Sequence, residues 1–589
     1  MPTRSPSAEP PRRTSSSRSR SARNIYWNQS NRTPDLFDQA KSVSIIAPPL
    51  NLLTDAWLPV RRASGRRDVI RPAHIVDGLV DGDPVVSPDW PRADFRIATF
   101  EFLIGLLAVA MPPQDHSDWC DKWHEPPASE FLDAAFESIA HAFYLDGPGP
   151  RFLQDLEDLS VEPESVERLL IEAPGETTLQ NNTTLLVKAN RFSGFNRSTA
   201  AIALFTLQSW APGGGRGNRT GLRGGGPLVT LVCPERPSLW HIVWANTPCG
   251  TRPETSELHR VFPWMAPTLV SNDDQIVAPD VDAHPLQSFW GMPRRIRLEF
   301  EARNEPSICD LTGLPDNVRV IGWRQRPYGA NYVGWGRRHY LTPHYQKKSG
   351  DEWSPVHPQP GGIGYRHWLG LVLPDESSQP AASVITWRTE RRRDAREGPN
   401  IRLLAAGYDM DKMRPMKARA FIETEMPLPG ISFEDQNRID RLAADLVRAA
   451  NIVADLLRYS VRKALFNEKS SVSMSSEALS SLRERLWAET ESDFFDALRT
   501  AAATSEVEQG RESERHVWAA LLARRAMTLF DEAAPLAPEA GGDARRIASA
   551  RRDLILALRG YKTRQHKNQG VEFFASLSLP LPKTSKEME

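Results

Sequence analysis

The chain has 589 residues, of which 40% are apolar, 25% charged and 8% aromatic. This length exceeds what one ordinary core supports, so two or more domains are expected. The 73 Lys and Arg residues balance 74 Asp and Glu residues to a formal net charge of -1, so composition indicates neither a globally basic protein nor an acidic disordered chain. The four cysteines form no CxxC pair, which argues against a disulfide scaffold and favours a reducing, cytoplasmic compartment.

The amino-terminal segment has the composition of a disordered chain. Its first 24 residues contain six arginines, seven serines and one glutamate. Such a segment cannot bury enough apolar surface to fold alone. A transit peptide shares this composition, but a disordered tail or an over-extended start accounts for it more simply. Residues 1–48 are therefore predicted to be a disordered basic extension, and residues 576–589 a disordered tail.

Regular structure is predicted from residue 49 onward as mixed α and β. Residues 50–60 and 68–70, joined by an Arg-Ala-Ser-Gly turn, suggest a short hairpin. Residues 98–110 suggest an apolar helix, and residues 228–232 a strand. No βαβ rhythm and no repeat occur, so a doubly wound parallel sheet is not supported. The longest apolar run, residues 102–111, is far shorter than the roughly 20 residues that span a bilayer, so no membrane partner is expected.

Residues 431–575 differ from the rest, because apolar residues recur there at helical spacing in four sets. The sets are Leu442, Leu446, Ala449, Val453, Leu456 and Leu457; Leu479, Leu482, Leu486, Phe494, Phe495 and Leu498; Val517, Leu521, Leu522, Met527 and Leu529; and Ile547, Ala550, Leu554, Ile555 and Leu558. Gly560 is placed to end the last helix. The pattern predicts a four-helix bundle that docks or braces. The fold class is therefore α+β: a large mixed domain at 49–430, then this bundle.

Charge is segregated along the chain although it balances overall. The 58 residues 177–234 contain six basic residues and no Asp or Glu, where about seven acids would be expected. Residues 317–350 are also acid-free, with seven basic residues (together +13) and six interleaved Trp or Tyr side chains. Cations with interleaved aromatic rings suit a nucleic acid. The alternatives are packing against acidic surface of the same chain, or binding an acidic protein.

The first acid-free stretch contains a glycine-rich segment. Eight of the 36 glycines lie between Gly213 and Gly226. Glycine lets the backbone approach a ligand closely and adopt positive φ, and exposed N–H groups can cradle phosphates. The segment is not a Walker A loop, because Gly-Lys-Ser/Thr is missing. A merely flexible loop is the alternative to a ligand-binding one.

Catalytic signatures are sparse: we find no HExxH, no GxSxG and no GxGxxG after a clear strand. Cys309 with His339 or His344 suggests a metal site, but Thr312 stands where a CxxC partner would be, and zinc needs four close ligands. The sequence therefore predicts no metal and no cofactor, and it contains no motif that supports an enzyme. The alternative to a non-enzymatic protein that binds nucleic acid is a metal-dependent nuclease or hydrolase that uses His339, His344 and Asp351.

Several motifs occur in a recognisable order. They are Asn51–Arg61 (NLLTDAWLPVR), Ala200–Phe205 (AAIALF), Gly221–Gly225 (GLRGG), Phe289–Ile296 (FWGMPRRI), Tyr328–Tyr332 (YGANY), Leu341–Pro343 (LTP) and Gly407–Asp411 (GYDMD). This order, over about residues 50–575, resembles the CasA family, the large subunit of the type I-E CRISPR surveillance complex (Cascade). The resemblance implies an unusual mixed amino-terminal fold followed by the helical bundle, and no catalysis.

The resemblance also implies a function and partners. CasA proteins recognise the protospacer-adjacent motif (PAM) in double-stranded DNA from the minor-groove side, start strand separation, and present a surface to a trans-acting helicase-nuclease. Other Cascade subunits hold the CRISPR guide RNA, which reads the remaining sequence, as in other RNA-guided systems. The same partners are expected for this chain.

Residue roles follow by position from the same resemblance. The glycine loop of the PAM reader corresponds to Gly213, Gly214, Gly215 and Arg216. The basic finger lies near Arg324 or Arg326, where other members have Lys. The wedge that separates the first base pair corresponds to Asp411, Lys412 and Met413, where other members have Asn and Gln. A loop that contacts the guide RNA or neighbouring subunits corresponds to residues 185–199, with Lys188, Arg191 and Arg197.

Overall fold

The structure is a computed structural model that describes residues 47–581 apart from 183, 185, 186, 189, 216, 237, 399, 412–416, 430–434, 467–476, 504–507 and 537–542. Its main hydrophobic cluster is a single set of contacting buried residues, of which Leu50 is the first in sequence and Leu579 the last. Leu577 and Leu579 are buried in it, so packing extends past residue 575. The predicted extension at 1–48 lies almost entirely outside the described residues, and its disorder stays a prediction.

The helices before residue 430 are mostly short. They are α1 (Ala93–Ala110), α2 (His116–His124), α3 (Ser129–Glu137), α4 (Glu176–Gln180), α5 (Arg197–Trp210), α6 (Leu239–Ala245), α7 (Leu258–Val261), α8 (Trp368–Leu371), α9 (Ala382–Thr386) and α10 (Arg392–Ala395). The two long helices, α1 and α5, pack together in the core. Phe102 of α1 meets Phe205 of α5 edge-on, with 5.7 Å between ring centroids.

Helix α1 begins five residues earlier than the predicted start at Ala98. The apolar periodicity missed the first turn because Asp94 and Arg96 lie in it. Asp94 is nevertheless buried, because Arg92 and the Tyr408 hydroxyl donate hydrogen bonds to its carboxylate. Pairing of this kind is what allows a charged side chain inside a core.

The strands of the described region are β1 (Leu58–Arg62), β2 (Arg67–Ile70), β3 (Val85–Pro88), β4 (Glu164–Ser165), β5 (Phe195–Asn196), β6 (Val229–Cys233), β7 (Arg295–Ile308), β8 (Pro315–Arg326), β9 (His344–Tyr345), β10 (Ser354–Pro355), β11 (Ser378–Gln379), β12 (Arg402–Asp411) and β13 (Lys417–Pro427). They form small sheets in the orders β2-β1-β3, β10-β9-β11, β13-β12-β6 and β4-β8-β5, with β7 also paired to β8. The pairings between these strands are antiparallel. The hairpin predicted from residues 50–60 and 68–70 is confirmed, although its first strand begins only at Leu58. The strand near 228–232 is confirmed with a shift of one residue.

The four helical repeats fall in four long helices: α11 (Gln436–Leu465), α12 (Glu477–Ala503), α13 (Glu508–Ala533) and α14 (Ala544–Leu558). Helix α11 packs against the other three and against a fifth helix, α15 (Gln569–Ser576), which the sequence did not predict. Gly560 has a φ of +87°, which suits its predicted place after the last turn of α14. One apolar assignment is wrong, because Val517 is 66% exposed and its neighbour Trp518 is buried instead. A separate four-helix bundle remains a prediction.

None of the helices in the described part of the chain combines the length and the apolar composition that crossing a membrane requires.

Candidate nucleic-acid interface

The glycine-rich segment, residues 211–227, follows α5 directly. Its residues 213–215, 217 and 218 belong to a surface turn, whereas residues 221–223 and 225–227 are buried. Gly214 and Asn218 pair as a short antiparallel bridge. Gly215 and Gly217, between them in sequence, have φ angles of +59° and +78°, which favour glycine. Gly215 is exposed and Gly214 is partly exposed. The turn therefore presents backbone to solvent.

Three of the four predicted loop residues, Gly213, Gly214 and Gly215, lie at least partly on this surface. The fourth, Arg216, lies outside the described residues. A deeply buried loop would have excluded direct contact with DNA. The accessibility of the turn is therefore compatible with that contact.

The turn rests on the end of strand β8. The carbonyl oxygen of Gly217 accepts a hydrogen bond of 2.7 Å from the backbone N–H of Tyr328. The side-chain amide of Gln325 donates a hydrogen bond, also of 2.7 Å, to Oδ1 of Asn218. A Cβ at Gly217 would lie 2.7 Å from Cβ of Pro327, so glycine is required there for space as well as for φ. These contacts join the predicted glycine loop to the predicted basic finger.

The two basic finger candidates differ in how their charge is used. Because side chains alternate along a strand, Arg324 and Arg326 lie on the face of β8 opposite Gln325. Arg324 forms ion pairs with Glu299 at 3.0 Å and Asp158 at 3.8 Å. Arg326 is half-buried and makes no ion pair with another described residue. Arg326 is thus the better placed of the two to attract a phosphate.

The other end of the glycine-rich segment packs against β12. A Cβ at Gly226 would lie 2.8 Å from Cγ of Met410 and from the carbonyl oxygen of Tyr408. Asp411, the last residue of β12, forms an ion pair of 3.4 Å with Arg419. The glycine-rich segment therefore connects the end of β8 to the end of the β12–β13 hairpin.

The tip of this hairpin would carry the predicted wedge. Asp411 is opposite Lys417 in the register of the two strands. Lys412 and Met413 lie outside the described residues, so the wedge itself stays a prediction.

The loop predicted to contact guide RNA or other subunits has two exposed cations among its three candidates, Lys188, Arg191 and Arg197. Lys188 and Arg191 are exposed, and Arg191 is paired with Glu167 at 3.1 Å and with Glu172 at 3.4 Å. Glu167 and Glu172 precede the acid-free stretch in sequence. An acid-free stretch of sequence is therefore not an acid-free region of the fold.

Arg197 is held inside the protein at the start of α5. Its guanidinium forms ion pairs with Asp316 at 2.9 Å and Asp146 at 3.3 Å. Burial by itself lowers the pKa of Arg197, but the hydrogen bonds and charges of Asp316 and Asp146 together outweigh it and raise the pKa above its ordinary value. Asp146 and Asp316 compensate this charge, and the side chain positions the helix.

Asp310 anchors the end of the same loop, although no motif in the sequence marks it. Its carboxylate accepts hydrogen bonds from the N–H groups of Ser193 and Gly194 at 2.6 and 3.1 Å, and from Arg319 at 2.7 Å. Burial alone would raise the pKa of Asp310, but these bonds, with that of the Ser193 hydroxyl, lower it. The acid lies seven residues before the second acid-free stretch, so only its proximity in sequence could have drawn attention to it.

Arg223, the last cation of the first acid-free stretch, is 2% exposed and forms an ion pair with Glu101 of α1. It also donates a hydrogen bond of 3.2 Å to the Thr342 hydroxyl. Nε2 of His339 lies 3.2 Å from the same Glu101 carboxylate. Burial alone would raise the pKa of Glu101, but Arg223 and His339 lower it below its ordinary value. Arg223 is a core cation and contributes no surface charge.

The geometry gives little support to the hydrolase hypothesis. His339 and His344 are 1% and 5% exposed, and burial lowers their pKa values to about 4 and about 3. Asp351 is exposed and belongs to a separate turn. Within the described residues, three potential metal-ligand atoms come within 4.8 Å of one another in a different group: His116, Cys120 and Asp394.

Cys309 belongs to a hydrogen-bonded polar cluster. Its Sγ lies 3.3 Å from the hydroxyl of Thr199. That hydroxyl lies 3.2 Å from the hydroxyl of Thr312, the residue at the position of a CxxC partner. Two threonines therefore surround the thiol, and neither offers the thiolate or imidazole that zinc prefers.

The fold is shared with solved CRISPR-associated structures. Cse1 from Acidimicrobium ferrooxidans is 19% identical, with a TM-score of 0.62 over 87% of this chain and 98% of that one. CasA from Thermus thermophilus is 17% identical, with a TM-score of 0.60 over 90% and 99%. A chain of a CRISPR RNA-guided surveillance complex is 14% identical, with a TM-score of 0.63 over 87% and 100%. The architecture is thus that of the large CRISPR-associated proteins.

The sequence itself specifies the family. Residues 51–529 match the model of the CRISPR-associated protein Cse1 family. The chain therefore belongs to the Cse1 family, also called CasA, as the order of its motifs predicted.

Proposed function

We propose that this chain is the non-catalytic large subunit of a cytoplasmic, RNA-guided Cascade complex. In this role it recognises the PAM in double-stranded DNA from the minor-groove side and starts strand separation. Other Cascade subunits hold the CRISPR guide RNA, and the bound complex recruits a helicase-nuclease. Membership of the Cse1 family and similarity to a chain of a surveillance complex support this assembly.

The observation that carries the DNA-binding part is the position of the exposed glycine turn. It is hydrogen-bonded to the end of β8 and packed near the end of the β12–β13 hairpin. The minor groove is only about 6 Å wide, so glycine backbone enters where larger side chains would clash. Its hydrogen-bond pattern is degenerate, which fits tolerance of several PAM sequences.

The two DNA strands separate if the tip of the β12–β13 hairpin inserts between stacked base pairs. Unstacking one base step costs a few kcal/mol. Contacts to phosphates and pairing with the guide RNA offset that cost. The hairpin suits this task because its two long strands are paired along their length and support the tip.

The test is a charge placed in the turn. Gly214→Asp should weaken binding of the assembled complex to PAM-containing duplex by at least about tenfold, because a carboxylate repels phosphates. Gly250→Asp is the matched control, since Gly250 is exposed and a Cβ there meets no atom within 4 Å. Both variants should assemble normally. Equal affinity of the two variants for PAM duplex would show that the glycine turn takes no part in PAM recognition.

A further inference from the structure

A second basic surface lies far along the chain, in the carboxyl-terminal helices. The end of α11, helix α14 and the loop after it enclose a cleft of about 780 Å³. We call it the basic cleft. Two acids line it, Asp543 and Asp553, against six cations, which leaves a net charge of +4; the cations are Lys463, Arg545, Arg546, Arg552, Lys562 and Arg564.

Some of these cations already serve the fold. Arg546 donates a hydrogen bond of 2.9 Å to the carbonyl oxygen of Ala464, one of the last carbonyls of α11. Arg552 forms an ion pair of 3.2 Å with Asp553. Arg546 also forms an ion pair of 3.7 Å with Asp543. These contacts fix the cleft wall and pair both of its acids.

Three cations remain uncompensated at the rim. Arg545, Lys562 and Arg564 are exposed, and none forms an ion pair with another described residue. The local sequence supplies no counter-charge either, because residues 554–571 contain four Lys or Arg and no Asp or Glu. Three exposed cations around one concavity are a ready site for a polyanion.

The aromatic rings that line the basic cleft, together with the volume of the cleft, indicate which class of polyanion it would bind. Tyr459 and Phe466 are half-buried and line the same cleft. Because Lys463 and the His566 ring already contact the Tyr459 ring, Phe466 is the ring on which a base next to a bound phosphate would stack. The volume falls within the roughly 300–1,000 Å³ of ordinary ligand pockets. A cleft of that volume suits a short segment of a single strand better than a duplex. An acidic peptide would use the cations but not the rings.

We infer that the basic cleft binds the phosphodiester backbone of a single-stranded nucleic acid, with Arg545, Lys562 and Arg564 contacting phosphates. The site is separate from the glycine turn, and it does not depend on the function proposed for that turn.

The experiment measures binding of the full-length chain to a fluorescein-labelled oligo(dT) of roughly 12 nucleotides, within the usual site size for single strands. The test variant is the triple substitution Arg545→Ala, Lys562→Ala and Arg564→Ala. The control is Arg303→Ala, Arg441→Ala and Arg499→Ala, which removes the same charge from exposed positions outside the cleft. Thermal unfolding of both variants shows that each is folded.

The test variant should bind oligo(dT) at least about tenfold more weakly than the control. The slope of log affinity against log salt should become shallower by about 2, because each single-strand phosphate contact contributes about 0.7. Equal affinity of the two variants would overturn the inference. So would preferential competition by a poly-glutamate peptide, which would indicate an acidic protein partner, or by blunt duplex DNA.

A variant of the glycine turn distinguishes a failure of the cleft inference from a failure of the proposed PAM recognition. Gly214→Asp should leave oligo(dT) binding unchanged while it weakens binding to PAM duplex. Loss of oligo(dT) binding in Gly214→Asp would place the single strand at the turn and overturn the assignment to the cleft. Normal PAM binding by Gly214→Asp would contradict only the PAM reader.

Discussion

The side-chain amide of Gln325 donates a hydrogen bond of 2.7 Å to Oδ1 of Asn218, and this bond ties the exposed glycine turn to strand β8. It links two segments that are 107 residues apart in sequence. The strand therefore supports the turn and holds it in one orientation. Pre-organisation of this kind reduces the ordering cost of binding.

Removal of this bond should therefore weaken DNA recognition without unfolding the protein. We expect Gln325→Ala to reduce the affinity for PAM duplex by about fivefold, because one hydrogen bond contributes about 1 kcal/mol. The measurement is a filter-binding titration of the assembled complex. Gln114→Ala, at an exposed glutamine near α2, should bind as the native protein does. An unchanged affinity of Gln325→Ala would show that the turn needs no support from β8.

Two glycines of the turn should respond differently to alanine. Both have positive φ, which costs an alanine about 1–2 kcal/mol. At Gly215 the new Cβ would find only Asn218 Nδ2, at 3.6 Å, whereas at Gly217 it would lie 2.7 Å from Pro327. Gly217→Ala should therefore displace the turn and weaken PAM binding more than Gly215→Ala does. Equal binding of the two variants would contradict the packing of the turn against β8.

The basic finger candidates can be separated by their salt dependence. Arg324 is paired with Glu299, so its loss should change DNA affinity little. Arg326→Gln should weaken binding and reduce the salt slope by about 0.9, the contribution of one duplex phosphate contact. Titrations at several salt concentrations measure both slopes. The assignment fails if Arg324→Gln changes the slope and Arg326→Gln does not.

The long helices and the family were accessible from sequence because they depend on local patterns. Apolar residues repeat at helical spacing over whole helices, and the motifs of the family occur in order. The error at Val517 shows the limit of such patterns, because the larger Trp518 beside it takes the buried position. Periodicity reports which face is apolar, but not which neighbour turns inward.

The sequence could not show which Lys and Arg side chains are paired inside the protein and which are exposed, because the acidic partners are distant along the chain. Arg223 is paired with Glu101, 122 residues away, and Arg197 with Asp316, 119 residues away. In both cases a carboxylate that is distant in sequence compensates the buried charge. Two of the six cations in the first acid-free stretch therefore belong to the interior. Long-range pairing decides where the exposed positive charge lies, and no count of residues along the chain reveals it.

The buried histidine beside Glu101 should make the protein sensitive to acid. Burial, with Arg223 nearby, lowers the pKa of His339 from 6.5 to about 4. In the unfolded chain this imidazole binds a proton at higher pH than in the fold. Its contribution to stability is therefore present above about pH 6.5, and it is lost as the pH falls toward about 4.

The expected loss is about 1.4 kcal/mol of unfolding free energy per pH unit for one such histidine. Urea unfolding at pH 6 and pH 5 measures it, and His339→Gln should show a shallower dependence by that amount. His141→Gln, at an exposed histidine, is the control and should keep the native slope. A native slope in His339→Gln as well would mean that His339 is protonated in the folded protein. The Glu101 carboxylate would then carry two buried cationic partners instead of one.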